Sequence, residues 1–474
     1  MTPTAEQRAI LDRPPTATIK VAAGAGCGKT STLVEYGRAW PARGLYLAFN
    51  RSIAEEAGRK FPHSIETRTA HSFAYKALNI GRRGNVVPKL RLEHLRAYND
   101  LIPDVVGLPD VRVRAAILKT IDNFMIDAGS KITGAHCPLP DVAHRTAVRK
   151  MTQAILKRLL RFEKHDEPIT HDTDLKAFEL WHRIDGPFEY LLLDEAQDLE
   201  PVLISIARKS QLPTVVVGDT YQSIYRFRGA VDAIDAFAVD ELPLTQSWRF
   251  GQGVAVLANR ILAHHSRPPR HRLSGNPNRE TLILPYSGKV APQPGTAILT
   301  RTNARLFGSL AEISRPFHLV GGYADLRRQL ESAYALHQHQ LGRVTDPVVA
   351  RYASWPAFEN GADRGDADAR RLRDIVQQYG DKLPGVLERL AGFHRDNEAD
   401  AQLVVSTAHK AKGREFQTVI VLDDFENPAD VRQRRLKDGK QTDECDQLIN
   451  LLYVACTRAT HRLLLAPKLY EALC

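Results

Sequence analysis

The chain has 474 residues, 43% of them hydrophobic, and a formal net charge of +10. That is globular composition, long enough for two large domains with insertions, and the charge favours a polyanionic partner such as nucleic acid. It holds no 18-residue apolar run and its N-terminus, MTPTAEQRAILDRPP, has no apolar signal core, so neither a membrane span nor an export signal is expected.

In chain order, TIKVAAGAGCGKTSTLVEY reads as strand, glycine-rich turn, helix, and GLYLAFNRSIAEEAGRKF repeats strand then helix. From about Ala77 to Asp174 the pattern turns helical, and VRVRAAILKTIDNFMID places Val113, Ile117, Ile121 and Phe124 on one face. Between Asp141 and Lys164 seven lysines or arginines face two acids, either a solvated helix face or a phosphate-contacting one. FEYLLLDEAQDLEP and PTVVVGDTYQ are two more apolar runs ending in polar clusters. A second alternating region offers AILTRTNA, FHLVGG, QLVVSTAHKAKG, TVIVLDD and RLLLAP as strands. A polar helical stretch from about Asp325 to Asp400 interrupts it, with GADRGDADARRLRD expected as a surface loop entering a helix. Short buried strands alternating with helices predict two α/β domains with parallel sheets, each carrying a mainly helical insertion. Ligands of such sheets bind at the carboxyl ends of the strands.

Cys27, Cys137, Cys445, Cys456 and Cys474 lack C-x-x-C spacing, so neither a disulfide framework nor a zinc cluster follows. His337 and His339 have no third ligand in view and are expected to face solvent.

The stretch AGAGCGKT, Ala23, Gly24, Ala25, Gly26, Cys27, Gly28, Lys29 and Thr30, lies between a strand and a helix. Backbone N–H groups there can wrap a phosphate chain at the helix N-terminus. Lys29 would neutralise phosphate charge and the Thr30 hydroxyl would ligate Mg²⁺. The usual pattern has glycine where Ala23 stands. LLLDEAQD brings Asp194 and Glu195 to another strand end, Asp194 to hold Mg²⁺ and Glu195 to deprotonate the attacking water. These readings imply ATP and Mg²⁺ as cofactors.

In order, AGAGCGKT, DEAQD, GDTYQSIYRFRGA, SWRFG, STAHKAKGREF and LLYVACTRA resemble the motif series of superfamily-1 DNA helicases of the UvrD/Rep type, from Gln7 to about Ala466. LAFNRSIAEEA, TAHSFAY, LTQSWRFG and LLDEAQD point within that group to the helicase part of the F-box DNA helicase family, with no F-box expected ahead of Gln7. The resemblance implies two RecA-like P-loop NTPase domains. The first would take residues 1–76 and 175–248, with a helical insertion at 77–174. The second would take 249–324 and 401–474, with a reduced insertion at 325–400.

It also implies roles. Gln7 would pair with adenine, although as a lone residue it reads first as a surface glutamine. Trp248 would lie on the adenine, and Ser31 stands where relatives often carry a stacking arginine. Glu415 would contact the ribose. Gln222, Arg249 and Arg458 would reach the γ-phosphate, where arginine's fixed fork grips oxygens and stays charged. Single-stranded DNA would meet Phe49, Asn50, His71, Tyr225, Phe227, Arg228, Arg301, Thr302, Asn303 and His409. Aromatic and guanidinium surfaces stack on any base, worth about 1–3 kcal/mol each, without choosing sequence.

The implied activity is an ATP-dependent DNA helicase moving 3′→5′ on single-stranded DNA and acting at single-strand/duplex junctions. Its setting would be cytoplasmic in a bacterial or phage context, or nuclear in a eukaryote. RLLLAP is followed closely by Cys474, so the strand-separating hairpin of relatives is expected to be either missing or supplied elsewhere. Two alternatives stay open: a translocase that strips proteins from DNA with little unwinding, and an ATP-gated DNA-binding subunit of a larger repair or defence complex.

Overall fold

The computed structural model describes residues 2–48, 50–78, 85–161, 167–224, 233–288, 293–364, 366–439 and 441–474. Phe49, Tyr225, Phe227 and Arg228 lie outside the described residues. The chain divides into two compact units, Met1–Gly24 with Gly28–Leu244, and Ala25–Cys27 with Thr245–Cys474.

Each unit is built on six parallel strands. In the first, the order across the sheet is Ile65–Thr69, Gly44–Ala48, Tyr190–Leu193, Thr214–Gly218, Ile19–Ala23, Glu241–Leu244. In the second it is Phe317–Leu319, Leu403–Thr407, Thr296–Thr300, Phe416–Val421, Ala459–Leu465, Leu282–Pro285. Helices connect the strands, so the central ones are covered on both faces and read as unbroken apolar runs. Leu191–Leu193 and Val215–Val217 are buried throughout. The two α/β sheets of the sequence reading are therefore present, with RecA-like architecture.

Between strands Ile65–Thr69 and Tyr190–Leu193 of the first sheet, helices Asp110–Ile126, Val142–Leu160 and His171–Trp181 gather a core of their own around Tyr98, Ile117, Phe124, Ile155 and Leu159. Val113, Ile117, Ile121 and Phe124 face it, as the 3.6-residue period predicts. Of the cations in the basic stretch, Arg145 is spent on the Leu139 and Pro140 carbonyls, and Arg158 on Asp100 and Glu167. Lys150, Lys157 and Arg161 are exposed.

In the second unit, helices Tyr323–His337, Trp355–Asp363, Ala367–Tyr379 and Leu383–Phe393 pack Leu330, Leu336, Trp355, Phe358, Leu372 and Leu387 into the core that also lines the sheet. GADRGDADARRLRD is not a loop leading into one helix; its first three residues finish one helix and most of the rest forms the next. His337 corrects its expectation too. Its ring is half-buried and meets Trp355 edge-on, centroids 4.7 Å apart, while His339 is exposed. The polar sequence masked an amphipathic face that buries this ring.

One buried charge is costly. Both carboxylate oxygens of Asp174 are buried without a hydrogen-bond partner. Desolvation raises its pKa to about 7; His71 opposes this and Asp172 adds to it. A folded pKa above the unfolded one favours the fold at low pH, and that advantage is lost as pH rises from about 4 to about 7. Asp174→Asn cannot ionise, so thermal melts should show it more stable than the native chain at pH 8, by about 1 kcal/mol or more. At pH 4 the two should melt together; an equal gain at both pH values would mean that ionisation is not the cause.

Candidate functional site

The carboxyl ends of the first sheet gather the motif residues. Ala23 ends its strand, Gly24 N donates to the Leu244 carbonyl at 2.9 Å, and Lys29 opens helix Lys29–Ala39 with Gly28 at its N-cap. Gly26 and Gly28 have φ of +73° and +77°, a left-handed conformation that side chains resist. On Gly26 a Cβ would also stand 2.6 Å from Ser247 Oγ, so the turn needs glycine twice over. Ser31 is exposed. Gln7 sits in the first turn of helix Ala5–Leu11, where its side-chain Oε1 takes the Thr4 N–H at 3.0 Å and its Nε2 donates to Thr32 Oγ1 at 3.0 Å.

Strand Tyr190–Leu193 delivers the acids. Thr30 Oγ1 donates to Asp194 Oδ2 at 2.6 Å, and Lys29 Nζ stands 3.5 Å from Glu195 Oε2. Glu195 has φ 50° and ψ 43°, a region few non-glycine residues occupy, and strain of this kind concentrates at working sites. Asp194 is almost fully buried, and desolvation followed by the Glu195 carboxylate pushes its pKa up. Two adjacent acids, one desolvated and hydrogen-bonded to a threonine, form an oxygen donor set suited to a hard divalent cation. With the glycine turn beside them, the residues present fit Mg²⁺ and a nucleotide phosphate chain. Among the described residues no group of three or more histidine, cysteine or acidic side chains is placed to hold a metal ion.

Three residues here escaped the sequence reading. Tyr46 Oη donates to Asp194 Oδ2 at 3.3 Å from the neighbouring strand. Gln197 Nε2 donates to Glu195 Oε2 at 2.5 Å, while its Oε1 accepts the Asp219 N–H at 2.8 Å. Asp219 Oδ2 in turn accepts from Gln222 Nε2 at 2.7 Å. Glu195, Gln197, Asp219 and Gln222 thus form one continuous chain of hydrogen bonds. A Cβ on Gly218 would lie 2.8 Å from Gln197 Oε1, so glycine at that strand end admits the bridge. The available signal was a glutamine two residues after the glutamate in DEAQD, facing GD at the next strand end.

Among residues expected at DNA, Asn50 caps helix Arg51–Lys60, its Oδ1 accepting from Ile53 N at 2.9 Å. His71 Nε2 lies 2.9 Å from Asp172 Oδ1.

In the second unit, Trp248 N donates to the Gly26 carbonyl at 2.8 Å, and Ala25 N donates to Tyr453 Oη at 2.9 Å. Cys27 is buried. Arg249 Nε bonds Glu415 Oε1 at 2.7 Å, and its Nη1 bonds the Thr457 carbonyl at 3.1 Å. Arg458 is buried, with Nε on the Val454 carbonyl at 2.9 Å. Asp424 accepts from the Arg301 and Thr302 N–H groups, and its carbonyl takes Arg301 Nε at 2.6 Å. Asn303 starts helix Asn303–Ala311 and is exposed, while His409 is half-buried after strand Leu403–Thr407. The described residues contain no helix long and apolar enough to cross a membrane.

Comparison with known proteins fits this arrangement. The UvrD/REP helicase N-terminal domain model matches residues 140–238 and the UvrD-like helicase C-terminal domain model matches residues 370–468. F-box DNA helicase 1 of Gallus gallus is 28% identical over 493 residues, 96% of this chain and 48% of the relative. F-box DNA helicase protein 1 of Schizosaccharomyces pombe is 29% identical over 534 residues, 99% of this chain and 58% of the relative. ATP-dependent DNA helicase PcrA of Leuconostoc citreum is 24% identical over 376 residues, 65% of this chain and 48% of the relative. The chain thus spans about half the length of the curated relatives it matches. The chain thus resembles the UvrD-like helicases in both its halves, one family model matching in each, and its glycine-rich turn and acidic pair meet at the carboxyl ends of one sheet.

Proposed function

We propose that the chain is an ATP- and Mg²⁺-dependent DNA helicase or translocase that moves 3′→5′ along single-stranded DNA. The observation that carries the reading is the convergence of Lys29 on Glu195 at 3.5 Å and of Thr30 on Asp194 at 2.6 Å, at the ends of parallel strands. Nucleotide binding and base activation then share one edge of a rigid sheet.

The roles follow from the chemistry. Bound ATP and Mg²⁺ would supply the scissile phosphoanhydride and the charge that neutralises it. Thr30 and Asp194 would hold the metal, and Lys29 would face the terminal phosphates. Glu195 would take the proton of the attacking water. Gln222, Arg249 and Arg458 would read the γ-phosphate, Trp248 and Gln7 the adenine, and Glu415 the ribose. The domains would be 1–76 with 175–248, carrying an insertion at 77–174, and 249–324 with 401–474, carrying one at 325–400. Phe49, Asn50, His71, Tyr225, Phe227, Arg228, Arg301, Thr302, Asn303 and His409 would form the track for DNA.

Gln197 would tie the base to the phosphate sensor, because its amide bonds both Glu195 and Asp219. Gln197→Ala should lower kcat by roughly tenfold to a hundredfold, the effect of a misplaced catalytic group, with KM for ATP little changed. Single-turnover hydrolysis would check this, and an unchanged rate would remove Gln197 from the relay.

ATP turnover with and without single-stranded DNA or RNA, beside unwinding of forks with a 3′ or a 5′ tail, tests the whole reading. DNA-stimulated turnover and unwinding from the 3′ tail are expected. Turnover indifferent to DNA would overturn it, and displacement of bound protein without unwinding would restrict it to a translocase.

A further inference from the structure

We propose that the second unit carries a separate, sequence-independent binding surface for the phosphate backbone of duplex DNA, formed by the loop at residues 264–272 and helix Pro428–Asp438. The loop reads HHSRPPRHR and contains no acid. Arg267, Arg270, His271 and Arg272 are exposed. So are Arg432, Arg434 and Lys437 on the helix. Arg434 is paired with Glu426 at 2.8 Å, but among the described residues Arg270, Arg272, Arg432 and Lys437 have no carboxylate within 4.0 Å.

The surface is built rather than incidental. Asp446, almost fully buried, accepts the Ser266 N–H at 2.9 Å, the Ser266 hydroxyl, and Arg435 Nη1 at 2.9 Å. Arg435 Nη1 also reaches the His264 carbonyl at 2.9 Å, which joins the loop to the helix. At the loop's far end Asn259 holds Leu273 through both backbone groups, at 2.8 and 2.9 Å. A loop anchored at both ends therefore presents its arginines beside a basic helix. Besides burial, Arg432 and Arg435 depress the His264 pKa, as expected where the two elements share a positive field.

The place and composition say what would bind. Trp248 and Arg249 precede helix Gln252–Leu262, while the loop follows it, about 16 Å along the axis. The surface is thus distinct from the proposed nucleotide contacts. It holds no Phe, Tyr or Trp, the large flat faces on which unpaired bases stack best, and is dominated by cationic groups. Guanidinium and ammonium groups on a fixed scaffold suit phosphates at regular spacing on a stiff duplex. The inference rests on the proposed DNA substrate only for the kind of polyanion, so its test is independent of ATP.

The test is the affinity of the full chain for a blunt duplex, by fluorescence anisotropy without nucleotide, at 50 and 200 mM salt. The variant is Arg270→Ser, Arg272→Ser, Arg432→Ser and Lys437→Ser together. Duplex affinity should fall tenfold or more at 50 mM salt, and the salt dependence should flatten by up to about 0.9 for each phosphate that is no longer neutralised. DNA-stimulated ATP turnover on a single strand should stay within twofold, and the four Arg or Lys swaps to the other cation should keep duplex affinity. Three results would overturn the proposal. They are unchanged duplex affinity in the serine variant, an equal loss of single-strand-stimulated turnover, or equally tight wild-type binding to phosphatidylserine vesicles or polyglutamate. If single-strand-stimulated turnover is absent in the wild type, the functional reading fails while the duplex measurement still decides this one.

Discussion

Glu195→Gln will lower ATP turnover by on the order of a thousandfold while ATP and single-stranded DNA remain bound, the loss expected when a positioned general base is removed. The glutamine side chain matches the carboxylate in shape and keeps a hydrogen-bond acceptor for Gln197 Nε2, now at 2.5 Å from Glu195 Oε2. What it lacks is the capacity to accept a proton. Ground-state binding should not suffer, because Glu195 adds like charge beside the desolvated Asp194 and is one cause of its raised pKa. Neutralising it relieves that repulsion. Steady-state turnover with saturating DNA, beside equilibrium binding of a fluorescent ATP analogue, separates the two effects. Turnover within tenfold of wild type would remove Glu195 as the base, and loss of both nucleotide and DNA binding would assign it a structural role.

Arg249→Ala should be comparably severe, with turnover reduced on the order of a thousandfold and ATP affinity changed less than tenfold, as for arginines that meet charge developing on a transferred phosphoryl group. The side chain is only 11% exposed, and Glu415 and the Thr457 carbonyl set the direction of its guanidinium. Arg249→Lys should not rescue, because an ammonium cannot reproduce a planar fork that meets two acceptors at once. Glu415→Ala breaks the same ion pair, and if Glu415 reads the ribose it should raise KM for ATP more than it lowers kcat. If Arg249→Ala hydrolyses ATP at the wild-type rate, the γ-phosphate role is lost.

The positions of the glycine-rich turn and the acidic pair were legible because each is local. An apolar run fixes a strand, the residues just past it stand at the strand's carboxyl end, and glycine there signals a backbone that a side chain would obstruct. Lys29, Thr30, Asp194 and Glu195 could therefore be placed at one sheet edge before any coordinates. The helical face at Val113, Ile117, Ile121 and Phe124 was legible for the same reason, since one period sets it.

The partners were not legible. Gln197 reaches Asp219 across a strand end, His71 meets Asp172 from a helix 101 residues on, Asp424 engages Arg301 from 123 residues on, and Asp446 fastens Ser266 from 180 residues away. Hydrophobic period decides which face of an element is buried, yet it carries no record of which distant element will cover that face or which polar group will arrive with it. Strand order and side-chain packing make that choice, because a buried donor or carboxylate must find its partner among whatever the closed sheet brings within about 3 Å.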